Sequence, residues 1–175
     1  MLNTEKEIDL YDDVSNPLDG VEEIMLNNDW SFDRRNEDEM TVNVSANHGT
    51  YKMAFIWQED YSALQFCCAP DIIISPNKLI EATQVINKIN ASLWLGHFDV
   101  RAELNDEQAF VPCFRHTSLF RGMNDSSGVA HMEDLIDIAI HECERFHMSF
   151  ELLSKATASN TKDMSLALMD VAGLS

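Results

Sequence analysis

The amino-acid sequence predicts a single α+β domain built around an antiparallel sheet. Its 175 residues fall within the size range of one ordinary domain. A hydrophobic fraction of 45% is typical of a chain that folds around a core. The hydrophobic period changes along the chain between about 3.6 and about 2 residues, which indicates helices and strands in turn. The predicted order of elements is α-βββ-α-ββ-α, with an extra short C-terminal helix.

The first half of the chain is predicted to form one helix and a meander of three strands. Asn16 is placed to cap the helix, with Pro17 at its first position, where a missing N–H does no harm. Apolar residues then recur at helical spacing to about Asn28. Three alternating segments separated by turn residues follow, which is typical of antiparallel hairpins. Their apolar positions are Met40, Val42 and Val44, then Tyr51, Met53, Phe55 and Trp57, then Leu64, Phe66 and Cys68.

The second half begins with the same combination of a capping residue and proline. Ser75-Pro76 predicts the start of a second helix, and Gly96 predicts its end. Alternation then predicts a strand over residues 98–104 and a returning strand over 110–114. Pro112 lacks an N–H for a sheet ladder, so it predicts that the returning strand lies at an edge.

The longest predicted helix follows a polar loop and carries an almost unbroken apolar stripe from Val129 to Leu153. We assign the folded domain to residues 15–156. Residues 1–14 are rich in Asp and Glu and are predicted to be a flexible acidic tail. Residues 157–175 are predicted to be a linker and a short helix, because Met164, Leu168 and Val171 recur at helical spacing.

The charge of the chain restricts its partners. Twelve Lys and Arg residues stand against thirty Asp and Glu residues, for a formal net charge of −18. Nucleic acids and anionic membranes are recognised through cationic side chains, so we expect neither as a partner. The acidity serves either solubility or attraction to a basic partner.

The cysteines and the apolar segments predict a cytoplasmic protein. The four cysteines include the adjacent pair Cys67 and Cys68, and their spacing is not that of a disulfide framework. No apolar run approaches the roughly 20 residues that span a bilayer. The segment from Met1 to Val14 is acidic and lacks the apolar core of a signal peptide.

Motifs for catalysis are weak. Residues 141–145 read HECER, which has arginine where the zinc-protease helix motif HExxH requires its second histidine. Cys143 and His147 lie four apart on a helix and, with Cys67 or Cys68, form the alternative of a metal- or thiol-dependent enzyme. Cys143 also lies on the apolar stripe, which favours burial as a small hydrophobic side chain. We therefore expect no catalytic residue, no cofactor and no metal.

One segment combines features of helix, bend and strand. Asn87 and Asn90 lie three apart near the end of the second helix, and Leu93–Asp99 leads into the next strand. Such asparagines bond to backbone groups across a bend, so both are expected to be buried or half-buried in a structural hinge. Contact with a partner is the alternative.

This segment resembles the central signature of YbjN-domain proteins, and the resemblance extends from about Asn16 to Ala156. It implies a fold like that of type III secretion chaperones, often dimeric, with no known catalytic residues and a role as a regulator of sensing or stress. The matching runs are Pro76–Leu79, Ile86–Asn90, Leu93–Val100 and Phe114-Arg115. The signature residues expected to serve structure or partner contact are Asn87, Asn90, Trp94, Gly96, Phe98, Asp99 and Arg115.

These observations favour a non-enzymatic protein-binding module, either a chaperone-like adaptor or a bacterial regulator. Nine Met, nine Phe and three Trp residues on a small domain suggest more apolar side chains than one core needs. Together with the family resemblance, this predicts a homodimer that also binds an unidentified protein or peptide. The alternatives are the small enzyme described above and a domain that senses a small ligand.

Overall fold

The computed structural model describes residues 14–103 and 106–155. Within them the chain forms three helices and six strands, which join in one antiparallel sheet of order β1-β2-β3-β4-β6-β5. The predicted acidic tail (residues 1–14, apart from Val14) and the predicted C-terminal helix lie outside the described residues. The elements are α1 (Leu18–Asn27), β1 (Phe32–Asn36), β2 (Glu39–Ala46), β3 (Gly49–Gln58), β4 (Ala63–Pro70), α2 (Leu79–Asn90), β5 (His97–Glu103), β6 (Asp106–Leu119) and α3 (Asp125–Lys155).

Helix α1 begins as its sequence predicts. The side-chain oxygen of Asn16 accepts a hydrogen bond from the N–H of Leu18 at 3.0 Å, which satisfies a donor that has no partner within the helix. The apolar face of α1 is buried against the common core. Its polar side is tied to β1, because Arg34 donates to Asp19 at 2.7 Å and to Glu22 at 2.9 Å.

The two faces of the sheet differ in what covers them. Met40, Phe55 and Phe66 are buried on the face that shares one core with all three helices. Alternate residues point the other way, because successive side chains of a strand lie on opposite faces. On that second face, which we call the open face, Ala54 and Ile56 are half-buried. No helix of the described chain contributes to the depression on this face.

Helix α3 supplies the largest part of the core that lies on the sheet. Its 31 residues bury an apolar side that includes Met132, Leu135 and Cys143. Phe146 and Phe150 pack on Phe98 of β5, with ring centroids 6.0 Å and 5.1 Å away. Deleting a buried Phe side chain commonly costs about 3–5 kcal/mol, so this aromatic cluster is a main anchor between helix and sheet.

The α+β class and the antiparallel sheet are confirmed, but the sheet has one strand more than the five predicted. The additional strand is β1, of sequence FDRRN. Its only large apolar side chain is Phe32, so it lacks the alternation that predicts a strand. Arg34, at an inward position, is held by carboxylates of α1 instead of by apolar packing. Strand β1 forms through its pairing with β2, which the local sequence does not reveal.

The edge position predicted from Pro112 is wrong. Strand β6 lies between β4 and β5, and the edges of the sheet are β1 and β5. The pairing of β4 with β6 ends at the pair Cys68 and Phe114, two residues before the proline is reached. Pro112 therefore costs the β4 ladder no hydrogen bond, although its strand is internal. The predicted polar loop is also shorter than expected, since α3 begins at Asp125 and includes Gly128.

Candidate binding surface

The open face contains a depression of about 340 Å³, which we call the open-face depression. Its shape follows from the sizes of the side chains that the strand register brings together. Thr41, Ala54 and Cys67 are successive partners across β2, β3 and β4, and Ala69 lies opposite Lys52. Small side chains thus form the floor.

Cationic side chains surround this floor. Arg35, Lys52 and Arg101 line the depression, and Glu39 is its one acidic lining residue among those described. None of the three cations has a carboxylate within 4.0 Å in the described part of the chain. Three cations beside a single carboxylate and the Cys67 thiol create a local positive potential. On a chain with a net charge of −18, the open-face depression thus stands out within the described residues as a region where cations gather.

A cysteine with an acidic thiol lies in the floor. Cys67 is partly buried, and the Nη1 atom of Arg101 approaches its sulfur at 3.6 Å. The neighbouring Cys113 thiol, followed by the charges of Arg101 and Arg115, lowers the pKa of Cys67 to about 6 against the effect of burial. The same interaction and burial raise the pKa of Cys113. The Cys113 sulfur itself donates to the carbonyl of Phe114 at 3.4 Å. Of these two thiols, Cys67 is therefore the one that ionises first, and Cys113 keeps its proton.

The other two cysteines lie in the core. The sulfur atoms of Cys68 and Cys143 are 3.8 Å apart, and both residues are fully buried. The hydrogen bond to Cys68 and burial raise the pKa of Cys143, so it is a neutral thiol. His147 turns its Nδ1 atom to the Tyr51 hydroxyl at 3.3 Å instead of to a sulfur. Among the described residues, no group of three or more His, Cys, Asp and Glu side chains could hold a metal ion.

A polar cluster that the sequence does not predict joins the β2–β3 turn to α3. Glu144 accepts hydrogen bonds from the Tyr51 hydroxyl at 2.6 Å and from His48, whose Nδ1 lies 2.7 Å away. His48 and His147 stack with centroids 5.0 Å apart. Burial and then the Glu144 hydrogen bond raise the pKa of Tyr51. A neutral tyrosine, a histidine and a carboxylate in this arrangement fasten the hairpin to the helix.

Asn90 bridges the helix-to-strand bend as predicted. Its amide donates to the carbonyl of Phe98 at 3.0 Å, and its carbonyl accepts from the N–H of Phe98 at 2.7 Å. Gly96 between them has φ +66°, and a Cβ there would meet the Phe114 ring and would lie 2.9 Å from the Arg115 carbonyl. Only glycine adopts this conformation at little cost. Phe98 is the buried residue that the bend positions.

The remaining signature residues lie nearer the surface. Asn87 is exposed, so the expectation that it would be buried or half-buried is wrong; it lies on the outer side of α2 while Asn90 turns toward β5. Trp94 is 76% exposed. Asp99 and Arg115 form an ion pair at 3.3 Å across β5 and β6. The structure thus divides the signature into a buried hinge and an exposed part.

No helix within residues 14–103 and 106–155 has the length and hydropathy to cross a membrane.

An antiparallel sheet with helices on one face and cations gathered on the other defines the α+β class of this domain. The sequence profile of the family described as "Putative bacterial sensory transduction regulator" matches residues 17–152. The chain belongs to this family, YbjN. A solved structure titled "Crystal structure of YbjN, a putative transcription regulator from E. coli" is similar, at 15% identity and a TM-score of 0.47, over 74% of this chain and 93% of that chain. No curated protein sequence matches the chain.

Proposed function

We propose that this protein is a non-enzymatic regulatory module that binds a protein partner in the open-face depression. The observation that carries the proposal is the gathering of Arg35, Lys52 and Arg101 around a floor of small side chains. Burying unpaired cations costs free energy unless an opposite charge meets them. A partner that supplies this charge gains specificity and a faster association.

The chemistry of the depression favours an acidic segment with small apolar side chains. Carboxylates of such a segment pair with the cationic rim, and its small side chains pack on Ala54 and Ala69. The acidic remainder of the chain repels other anionic surfaces, so it restricts the partner to this face. A chaperone-like adaptor that holds an extended segment of another protein would use the depression in this way.

A regulatory role agrees with the family description, which names a sensory transduction regulator. The non-enzymatic part of the proposal is supported by the state of the candidate catalytic groups. Cys143 is a buried neutral thiol, and His147 is engaged with Tyr51. Neither side chain borders the open-face depression. Cys67, the remaining candidate, lines the depression, where it is separated from both Cys143 and His147.

Charge reversal tests the proposal. Purified protein carrying Lys52→Glu should retain less of its partner from native lysate than wild type. With the isolated partner, we expect calorimetry to show at least a tenfold lower affinity, which corresponds to about 1.4 kcal/mol. Lys88→Glu is the matched control, because Lys88 is exposed on α2 and the change in charge is identical. Equal losses of affinity in both variants, or an unchanged affinity of Lys52→Glu, would contradict the proposed site.

The volume of the depression supports a second candidate, a domain that senses a small anionic ligand. About 340 Å³ lies at the lower end of the range for small-molecule pockets. Native mass spectrometry of freshly purified protein distinguishes the two functions. A small molecule that remains bound to wild type and is lost from Lys52→Glu supports ligand sensing, whereas a bound protein lost from the same variant supports the adaptor.

A further inference from the structure

The four cysteines form two facing pairs, one on each side of the sheet. Cys67 and Cys68 are neighbours in β4, so their side chains point to opposite faces. Cys67 and Cys113 of β6 both line the open-face depression, and the sulfur of Cys68 lies 3.8 Å from that of Cys143 of α3 in the core. Cys67 and Cys113 line the depression of the proposed function, which makes no use of their thiol chemistry, and Cys67 is the one of the four cysteines that is partly exposed.

We propose that Cys67 is a modification site for peroxides, with Cys113 as the resolving thiol that converts the oxidised Cys67 into an intramolecular disulfide. Three geometric features carry the proposal. Cys67 is partly exposed in the floor of an open depression, Arg101 lies 3.6 Å from its sulfur, and Cys113 lines the same depression. Redox-sensing cysteines are commonly accessible thiolates beside a second cysteine that resolves the first product.

The reaction proceeds in two balanced steps. In the first, the Cys67 thiolate attacks one oxygen of the peroxide; the O–O bond breaks, Cys67 becomes a sulfenic acid, and the other oxygen leaves as hydroxide or alkoxide and takes a proton from solvent. In the second, the sulfur of Cys113 attacks the sulfur of Cys67. The S–OH bond breaks, the Cys113 proton and the departing hydroxide form water, and a disulfide remains.

The surroundings of Cys67 favour the first step over reaction at the other thiols. The pKa of Cys67, lowered to about 6, gives Cys67 a larger thiolate fraction at pH 7 than an ordinary cysteine has. Arg101 is also placed to stabilise the anion that leaves the peroxide. Cys68 and Cys143 have no exposed surface, so a peroxide does not reach them while the core is intact.

The second step changes the binding surface. Arg115, not Cys113, is the direct partner of Cys67 across β4 and β6, so the two cysteines are diagonal neighbours. Diagonal Cα atoms are about 7–8 Å apart, whereas a disulfide joins Cα atoms about 4.4–6.8 Å apart. Closing the bond therefore requires the backbone to bring the two Cα atoms closer together, and it removes the negative charge that Cys67 presents to Arg101. We expect the disulfide to be readily reduced.

Mass spectrometry of the full-length protein treated with hydrogen peroxide tests the proposal. Trypsin leaves Cys67 and Cys68 on one peptide and Cys113 and Cys143 on two others, so the cross-linked partner is read directly. We expect the peptide of Cys113 to be linked in wild type and in Cys68→Ser. We expect Cys113→Ser to accumulate a sulfenic acid that dimedone traps on Cys67. Linkage to the Cys143 peptide, or dimedone on another cysteine, would overturn the proposal.

Arg101→Met provides a second test that leaves all four thiols in place. We expect slower peroxide oxidation, and a midpoint for iodoacetamide alkylation of Cys67 that rises above about 6 but stays below that of an ordinary cysteine, because Cys113 and Arg115 still lower the pKa. Lys88→Met is the control, because it removes an exposed cation on α2 without touching the depression. Its rate and midpoint should equal those of wild type. An Arg101→Met midpoint equal to that of wild type would overturn the role of the guanidinium.

Discussion

The hinge between α2 and β5 makes a quantitative prediction for Asn90→Ala. Strand β5 is an edge of the sheet, and an edge strand presents backbone groups without a neighbouring strand. The N–H and the carbonyl of Phe98 both turn outward from the sheet and bond to the Asn90 side chain. The Asn90 side chain thus makes the hydrogen bonds that a neighbouring strand would otherwise make to Phe98, whose ring anchors the aromatic cluster.

The magnitude follows from the two hydrogen bonds. Each contributes about 1 kcal/mol net, and a buried group left without a partner costs about 1–3 kcal/mol. The substitution gains about 0.5 kcal/mol of helix propensity, because alanine favours a helix more than asparagine does. We therefore expect Asn90→Ala to lower the free energy of unfolding by about 2 kcal/mol. In a domain of this size, that loss corresponds to a melting temperature about 4–8 °C lower.

Urea denaturation followed by circular dichroism measures this difference, and Asn87→Ala is the matched control. Both substitutions change asparagine to alanine in α2, but Asn87 is exposed and makes no side-chain hydrogen bond within the described residues. The control should be as stable as wild type or slightly more stable. Equal stability of the two variants would refute the bridging role of Asn90.

Three further predictions test other parts of the structure. Gly96→Ala should lower the free energy of unfolding by more than about 1 kcal/mol, because φ is +66° at this position and the new Cβ meets Phe114. Urea denaturation measures this loss, and an unchanged denaturation midpoint would contradict it. Burial, and then the neighbouring His48, lower the pKa of His147, so the unfolded state binds more protons just below pH 6.5. Thermal unfolding should show stability falling from pH 7 to pH 5, and falling less steeply in His147→Gln. Equal slopes of stability against pH in wild type and variant would exclude His147 as the source of this pH dependence. We also propose that two copies of the chain pair through exposed apolar side chains such as Ile80 and Trp94. Light scattering should then give a mass of about twice 19.9 kDa, whereas a mass of 19.9 kDa would refute pairing.

The parts of the fold that the sequence predicts are those with a strong apolar period. Helix α3 and strands β2 to β4 lie where their patterns place them, because each buries one continuous apolar face. Strand β1 escapes prediction because pairing and ion pairs hold it, and neither leaves a periodic signal. Pro112 wrongly predicts an edge strand for a related reason. An internal strand accommodates this proline because β4 stops pairing with β6 before Pro112 is reached, and the local sequence does not show where that pairing ends.

The binding surface is less predictable because it depends on register. Arg35, Lys52 and Arg101 come from three strands that are far apart in sequence, and only the pairing of those strands brings them to one depression. The cluster of His48 and Glu144 joins residues 96 positions apart. The adjacent cysteines did contain a signal, because neighbours in a strand must face opposite sides. Their two partners could be identified only in the folded structure.

Site-specific photo-cross-linking in native cells shows whether a partner protein binds in the open-face depression. A photoreactive phenylalanine analogue at position 54 places the reactive group in the floor of the depression. The same analogue at position 137, an exposed position on α3, is the control. We expect a protein adduct from position 54 that is weak or missing from position 137 and that decreases with Lys52→Glu. Adducts from position 137 alone, or equal adducts from both positions, would contradict it.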